Sequence, residues 1–212
     1  MIPDRSDLKR RSSDELLVLH AVRLAGFADS GAVVNRVDLP ASSVGDTLRG
    51  LEGQRLIERM AFADSGGWIL TDAGKSRNAE LLREELEASG AWPVLHATAE
   101  DFESSVNPRL VRVITEWQLD RADNSVEVLL RELTDLADAL SALMGELAAR
   151  LPRFARYSRQ FSAAVEKARA GEDQWVAGVG RLSCHIVWAE LHEDLLSSLG
   201  RDRSTEPRSG DR

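Results

Sequence analysis

The chain contains one cysteine, Cys184, among 212 residues. No internal disulfide can form and no multi-cysteine metal site can be assembled. A reducing cytoplasm is the expected compartment. No apolar run approaches the roughly 20 residues that a membrane-crossing helix needs. The opening stretch Met1–Glu15 lacks the apolar core of a secretory signal. Positive charge is also short, with 27 Lys/Arg against 35 Asp/Glu and a formal net charge of −8. That balance excludes a protein that coats nucleic acid through bulk charge. The sequence has no Gly-rich phosphate loop, no G-x-S-x-G elbow and no H-E-x-x-H. Glu100 and Asp101 are neighbouring carboxylates, but they read as acids favoured at a helix start. Cys184 and His185 are adjacent, and adjacent helix positions point about 100° apart, which does not build a nucleophile–base pair. No enzyme activity, cofactor or metal site is therefore expected.

What is present suits a globular protein: 43% apolar and 29% charged residues. The length fits one large domain or two small ones. Met1 to Asn78 carries eleven Lys/Arg and eleven Asp/Glu, so the acidic surplus lies downstream. Residues 1–12 and 201–212 are polar, lack apolar anchors and are predicted to be disordered. Between them the chain reads as two blocks, 13–89 and 98–200, joined by a link around Gly90–Pro93.

In the first block Ser13 is the expected N-cap of a helix whose stripe is Leu16, Leu17, His20, Ala21 and Leu24. Gly26 should end it. A short helix over about Ser30 to Val37 follows, with Val33 and Val37 inward. Leu39-Pro40 makes a turn. Ser42 or Ser43 is expected to cap a third helix that faces Val44, Leu48 and Leu51 inward. Leu56 to Phe62 reads as a strand, Asp64-Ser65-Gly66-Gly67 as a turn and Trp68-Ile69-Leu70 as the returning strand. Thr71 then caps a fourth helix carrying Leu81, Leu82 and Leu86.

Three helices and a hairpin in this order make a winged helix-turn-helix. The fold class expected for the whole chain is mainly α with a small β-hairpin wing, followed by a helical bundle. The stretch LPASSVGDTLRGLEGQRLIERMAFADSGGWILTDAG resembles winged-helix regulators of the MarR type, most clearly at Leu70-Thr71-Asp72-Ala73-Gly74. The resemblance covers about residues 13–86. It departs from that family in having no additional helix before Ser13, and in a wing tip of Asp64-Ser65-Gly66-Gly67 where arginine is usual.

The resemblance implies a DNA-binding transcriptional regulator whose third helix enters the major groove of double-stranded DNA. Ser42, Ser43, Asp46, Thr47, Arg49 and Gly50 would then face outward. Arg49 suits a bidentate contact to guanine. Gln54, Arg55 and Arg59 suit phosphates, which position a module without reading sequence. Lys9, Arg10 and Arg11 would form a basic arm. So few cations imply a homodimer on two half-sites. A protein-docking adaptor that uses the same module without DNA is the alternative.

In the second block Asn107-Pro108 reads as a helix start, Asn as cap and Pro at the first position. Leu110, Val113, Ile114 and Trp117 would be that helix's apolar side. A long helix from Asn124 or Ser125 carries Leu129, Leu133, Leu136, Leu140, Leu143, Leu147 and Leu151, a seam to be buried against neighbouring helices or a partner subunit. Pro152 should end it. A helix with Phe154, Tyr157, Phe161, Ala164, Val165 and Ala168 follows. Gly171-Glu172-Asp173 is a break, and a last helix runs to about Leu199, bending or dividing at Gly178 and Gly180. The Asn-Pro-Arg-Leu, Glu-Trp-Gln-Leu and His185–Leu196 segments resemble the C-terminal part of a group of actinobacterial winged-helix proteins. That likeness supports a regulator and implies no ligand.

On the last helix His185, Trp188, Ala189, His192 and Leu196 share one side. With Trp117, Gln118, Tyr157 and Trp175 from other helices they form a candidate small-molecule effector pocket, polar handles on an apolar wall. The competing reading is a bundle core whose histidines find hydrogen-bond partners. His185 and His192 lie about 10.5 Å apart along the axis, too far to share a metal ion. His20 and His96 have no partner in sequence, and Glu190, Glu193 and Asp194 read as solvated charge.

Overall fold

Ser13 opens the first helix, α1 (Asp14–Ala25): its hydroxyl accepts the Leu16 N–H at 3.1 Å, and Asp14 and Glu15 occupy the first turn. Carboxylates there favour the positive end of the helix dipole. Gly26 caps the other end at φ 71, its N–H reaching the Val22 carbonyl. The structure, a computed structural model, describes residues 12–62, 65–119 and 123–201. It is mainly helical, with a small two-stranded antiparallel hairpin. Backbone contacts divide it into two units, Met1–Trp92 with Glu193–Arg212, and Pro93–His192. The arm Lys9, Arg10 and Arg11, the turn residue Asp64 and the tail from residue 202 lie outside the described residues.

The first unit continues with α2 (Ser30–Val34), α3 (Ala41–Gly53), β1 (Ile57–Phe62), β2 (Ser65–Leu70) and α4 (Asp72–Ser89). α1 is buried through Leu16, Val18, Leu19, His20, Ala21 and Val22. The expected stripe was too narrow: Leu17 and Leu24 are only half-buried, while Val18, Leu19 and Val22 are the inner positions. A central helix is apolar nearly all round, so a one-faced pattern underestimates it.

α2 is shorter than predicted, ending at Val34, with Asp29 as its cap. α3 is not capped by Ser42 or Ser43. It begins directly after Pro40, whose extended backbone ends in a carbonyl that accepts the Val44 N–H at 3.1 Å. β1 and β2 pair from Ile57↔Leu70 to Phe62↔Ser65, so Ser65, Gly66 and Gly67 are strand rather than turn. Ala28 adds a bridge to the outer side of β2, exchanging both backbone bonds with Trp68. Val33, Val44, Leu48, Leu51, Ile57, Trp68, Leu81 and Leu82 complete this unit's core.

The second unit opens with α5 (Trp92–Asp101), which passes through a π-helical turn at Phe102–Val106 into α6 (Asn107–Leu119). Asn107-Pro108 is therefore not a helix start: Asn107 has helical geometry, φ −56 and ψ −49. A proline inside a helix clashes with the carbonyl four residues back and donates no N–H. A widened turn immediately before it relieves that conflict. Glu100 and Asp101 accordingly lie at the end of α5 rather than at a helix start.

The long α7 (Asp123–Arg150) follows, then a 3-10 turn at Pro152–Phe154, α8 (Ala155–Arg169), α9 (Gln174–Ala177) and α10 (Cys184–Ser198). The last helical region is thus divided, with Gly178 extended and Gly180 left-handed between α9 and α10. Leu129, Leu133, Leu136, Leu140, Leu147 and Leu151 are buried, and Leu143 yields its inner place to Met144. Within this unit α7 packs chiefly on α8 and α6. The leucine seam is therefore buried within this unit, whose neighbouring elements are α8, α6 and the 3-10 turn.

Candidate nucleic-acid interface

Val44, Leu48 and Leu51 are 0–1% exposed and hold α3 against the core of the first unit. Each such burial is worth about 1.5–3 kcal/mol, so the rotation of the helix is well determined. Ser42, Asp46, Arg49 and Gly50 consequently face outward and are exposed, with Ser43 and Thr47 half-buried at the flanks. Gln54 and Arg55 continue this surface beyond the helix end, and Arg59 on β1 is exposed with its guanidinium 5.1 Å from the Trp68 ring centre. The site residues read from the sequence are thus on one helix face, its C-terminal turn and the adjoining strand.

The side-chain bonds on this face are local. Thr47 Oγ1 donates to the Ser43 carbonyl at 2.8 Å, and Gln54 Nε2 donates to the Gly50 carbonyl at 3.2 Å. Arg49 Nη2 pairs with Asp46 Oδ1 although both side chains remain about seven-tenths exposed, 71% and 72%. Pro40, at the head of α3, makes no side-chain capping bond to its first turn. Gly50 and Gly53 also lie outward, and a β-carbon at either would meet nothing within 4 Å. The fold itself gives no reason for two helix-weakening glycines there.

Arg55 is the one described non-glycine residue with positive φ, at 60°. That geometry costs an L-residue about 1–2 kcal/mol, and the position just past a helix end is where glycine is usual. The surrounding bonds impose it. Thr71 Oγ1 donates to the Arg55 carbonyl at 2.8 Å and accepts the Gly74 N–H at 3.0 Å, while the Thr71 N–H reaches the Leu56 carbonyl. Gly74 sits so close that an added β-carbon would lie 1.9 Å from the Leu56 oxygen. The Leu70–Gly74 segment, the most recognisable piece of the sequence, is a latch that seats α4 on the turn after α3.

The face predicted as an effector pocket is differently built. Trp117 and Tyr157 are fully buried core, and Gln118 is exposed. Trp175 is half-buried, donates to Glu172 at 3.0 Å, and has Lys167 Nζ 3.7 Å from its ring centre. His185 and Trp188 stack at 5.6 Å, and burial pushes the His185 pKa down, favouring the neutral ring. Trp188 Nε1 donates to Asn107 Oδ1 at 3.0 Å. Asn107 Nδ2 donates to Glu103 at 2.7 Å, and the other Glu103 oxygen lies 2.5 Å from His192 Nε2. Trp188 and His192 are therefore engaged within the unit, through Asn107 and Glu103.

Of the three acids expected to be solvated, Glu190 and Asp194 are buried and Glu193 is half-buried in an ion pair. Glu190 is 5% exposed, 3.4 Å from Arg156, whose other nitrogen donates to the Tyr157 hydroxyl at 2.5 Å. Asp194 is 1% exposed, accepts from Ser198 Oγ at 3.0 Å and lies 3.0 Å from His20 Nε2. His20 Nδ1 is 3.1 Å from Asn78 Oδ1, and Glu193 pairs with Arg23 at 2.6 Å. His96 lies 3.4 Å from Glu100. The partners are up to 174 positions apart, and no local periodicity carries such a signal.

Cys184 is buried, and desolvation pushes its thiol up to about 12, which keeps it protonated and inert. Among the described residues no cluster of three His, Cys, Asp or Glu side chains could hold a metal ion, and no helix is long and apolar enough to cross a membrane. The first unit has a cleft of about 520 Å³ lined by Ala79, Leu86, Trp92 and Leu199 with charged Glu80 and Arg83. A second, of about 430 Å³, is lined by Val22, Ile69, Leu70, Arg23, Lys75 and Glu193. Comparison of the chain with protein-family models, curated proteins and solved structures yields no match.

Proposed function

We propose that the first unit is a winged helix-turn-helix that binds double-stranded DNA, and that the protein is a transcriptional regulator. α3 is the recognition helix in this reading, and β1–β2 is the wing. The supporting observation is the outward face of α3. It carries Ser42, Asp46, Arg49 and Gly50, anchored from behind by Val44, Leu48 and Leu51, with side-chain bonds that close only on themselves. Arg55 adds weight, because the chain keeps a cation at a backbone position that favours glycine.

Local charge is balanced, Arg49, Arg55 and Arg59 against Asp46, Glu52 and Glu58. A single module would bind weakly, and two copies on two half-sites would be needed for useful affinity. The second unit would then serve dimerisation through a surface other than its leucine seam, which is already buried.

The test is retention on duplex DNA at several salt concentrations. The expected result is binding that falls steeply with salt, with Arg55→Gln and Arg59→Gln each lowering the slope of log K against log salt by about 0.9. Absence of retention at low salt would defeat the proposal. It would favour a protein-docking role, for which Phe27 and Met60, 39% and 43% exposed on either side of Gly67, supply the apolar contact.

A further inference from the structure

The carboxylate of Asp46 is out of place on a surface meant for a polyanion. It lies on the outward face of α3 beside serine, threonine and glycine, and its charge opposes phosphate. It is not there to hold the fold, since it is 72% exposed and bonds only to Arg49. Arg49 in turn is folded back along the helix, its Nη1 3.7 Å from where a Gly45 β-carbon would stand. A side chain at Gly45 would meet the guanidinium only in ordinary van der Waals contact, and Gly50 leaves open space.

We propose that Asp46 and Arg49 work as one unit that reads a single G·C base pair in the major groove. This inference rests on the DNA-binding reading of α3. Arg49 has five N–H donors, and Asp46 takes one through Nη2. The couple therefore presents a row of donor, donor and acceptor. The major-groove edge of a G·C pair presents the complement: guanine N7 and O6 accept, and cytosine N4 donates. An A·T pair offers acceptor, donor, acceptor, which sets an arginine donor against the adenine N6 donor. A reversed C·G pair presents the row backwards. Asp46 contributes twice, by accepting from cytosine N4 and by fixing the arginine rotamer, and it lowers attraction to phosphate in general. It trades affinity for discrimination.

The experiment uses the full chain and its Asp46→Ala and Arg49→Ala variants. Binding sites are selected from a randomised duplex library, then resynthesised with 7-deazaguanine or 2-pyrimidinone at the G·C position, removing guanine N7 or the cytosine amino group. Wild type should prefer G·C over A·T at one position by roughly 5- to 150-fold. It should lose affinity with either analogue. Asp46→Ala should become insensitive to the cytosine analogue, prefer G·C less, and bind random DNA more tightly. Arg49→Ala should become insensitive to 7-deazaguanine. If wild type selects a site but both variants keep its G·C preference and analogue sensitivity, the inference is overturned while DNA binding stands. If wild type is retained on no duplex at low salt, both fail together.

Discussion

The outer faces of α3 and α10 look alike in sequence and differ in the folded chain. Both helices carry acids and polar residues opposite an apolar stripe. On α3 those side chains stay exposed and bond to residues three or four positions away. On α10 Glu190 and Asp194 are buried against Arg156 and His20, while His192 pairs with Glu103 of the π-helical turn and Trp188 bonds to Asn107 just after it. A solvated polar face remains free to meet a partner. A buried one has its partners already, and removing any of them leaves a charge or a hydrogen bond uncompensated.

The largest expected effect separates the two faces through one kind of substitution. Asp194→Ala removes the buried acceptor of Ser198 and the carboxylate beside His20, and should cost about 1–3 kcal/mol. Asp46→Ala removes an exposed pair and should stay within about 0.5 kcal/mol. Urea unfolding of both variants measures the contrast, and equal costs would erase the distinction.

A smaller effect runs the other way at the end of α3. Arg55→Gly relieves the left-handed backbone and should raise stability by about 1 kcal/mol while weakening DNA retention. A variant that gains stability and keeps full retention would remove Arg55 from the proposed interface.

The smallest is a pH effect in the second unit. Burial lowers the His185 pKa, so the unfolded chain takes up this proton more readily than the folded one. The neutral ring's contribution is complete above the unfolded value of about 6.5 and is lost as pH falls below it. Half-exposure keeps the loss under about 1 kcal/mol. Between pH 7.5 and 5 the unfolding midpoint of His185→Phe should fall less than that of wild type, and parallel curves would assign the acid sensitivity elsewhere.

Local signals were legible where the physics is local. Ser13, Thr71 and Gly26 act at helix ends as their chemistry predicts, and Val44, Leu48 and Leu51 face inward at helical spacing. Asn107-Pro108 was misleading because a π-helical turn lets a proline continue a helix that rules of thumb would end. Ser42 and Ser43 resembled caps, yet Pro40 already supplied the entry geometry. Gly74 carried a visible motif whose meaning, contact with the Leu56 carbonyl, required coordinates.

The amino-acid sequence alone determined that the chain is largely helical with one hairpin, and which side of α3 points outward, because capping and apolar periodicity operate within a few residues. Only the tertiary structure decided which polar side chains are spent. The chain returns Glu193, Asp194 and Ser198 to the first unit, where His20, Arg23 and Asn78 are brought together with them. Burying a charge is tolerable only beside a partner, and partners so far apart in sequence are chosen by the fold.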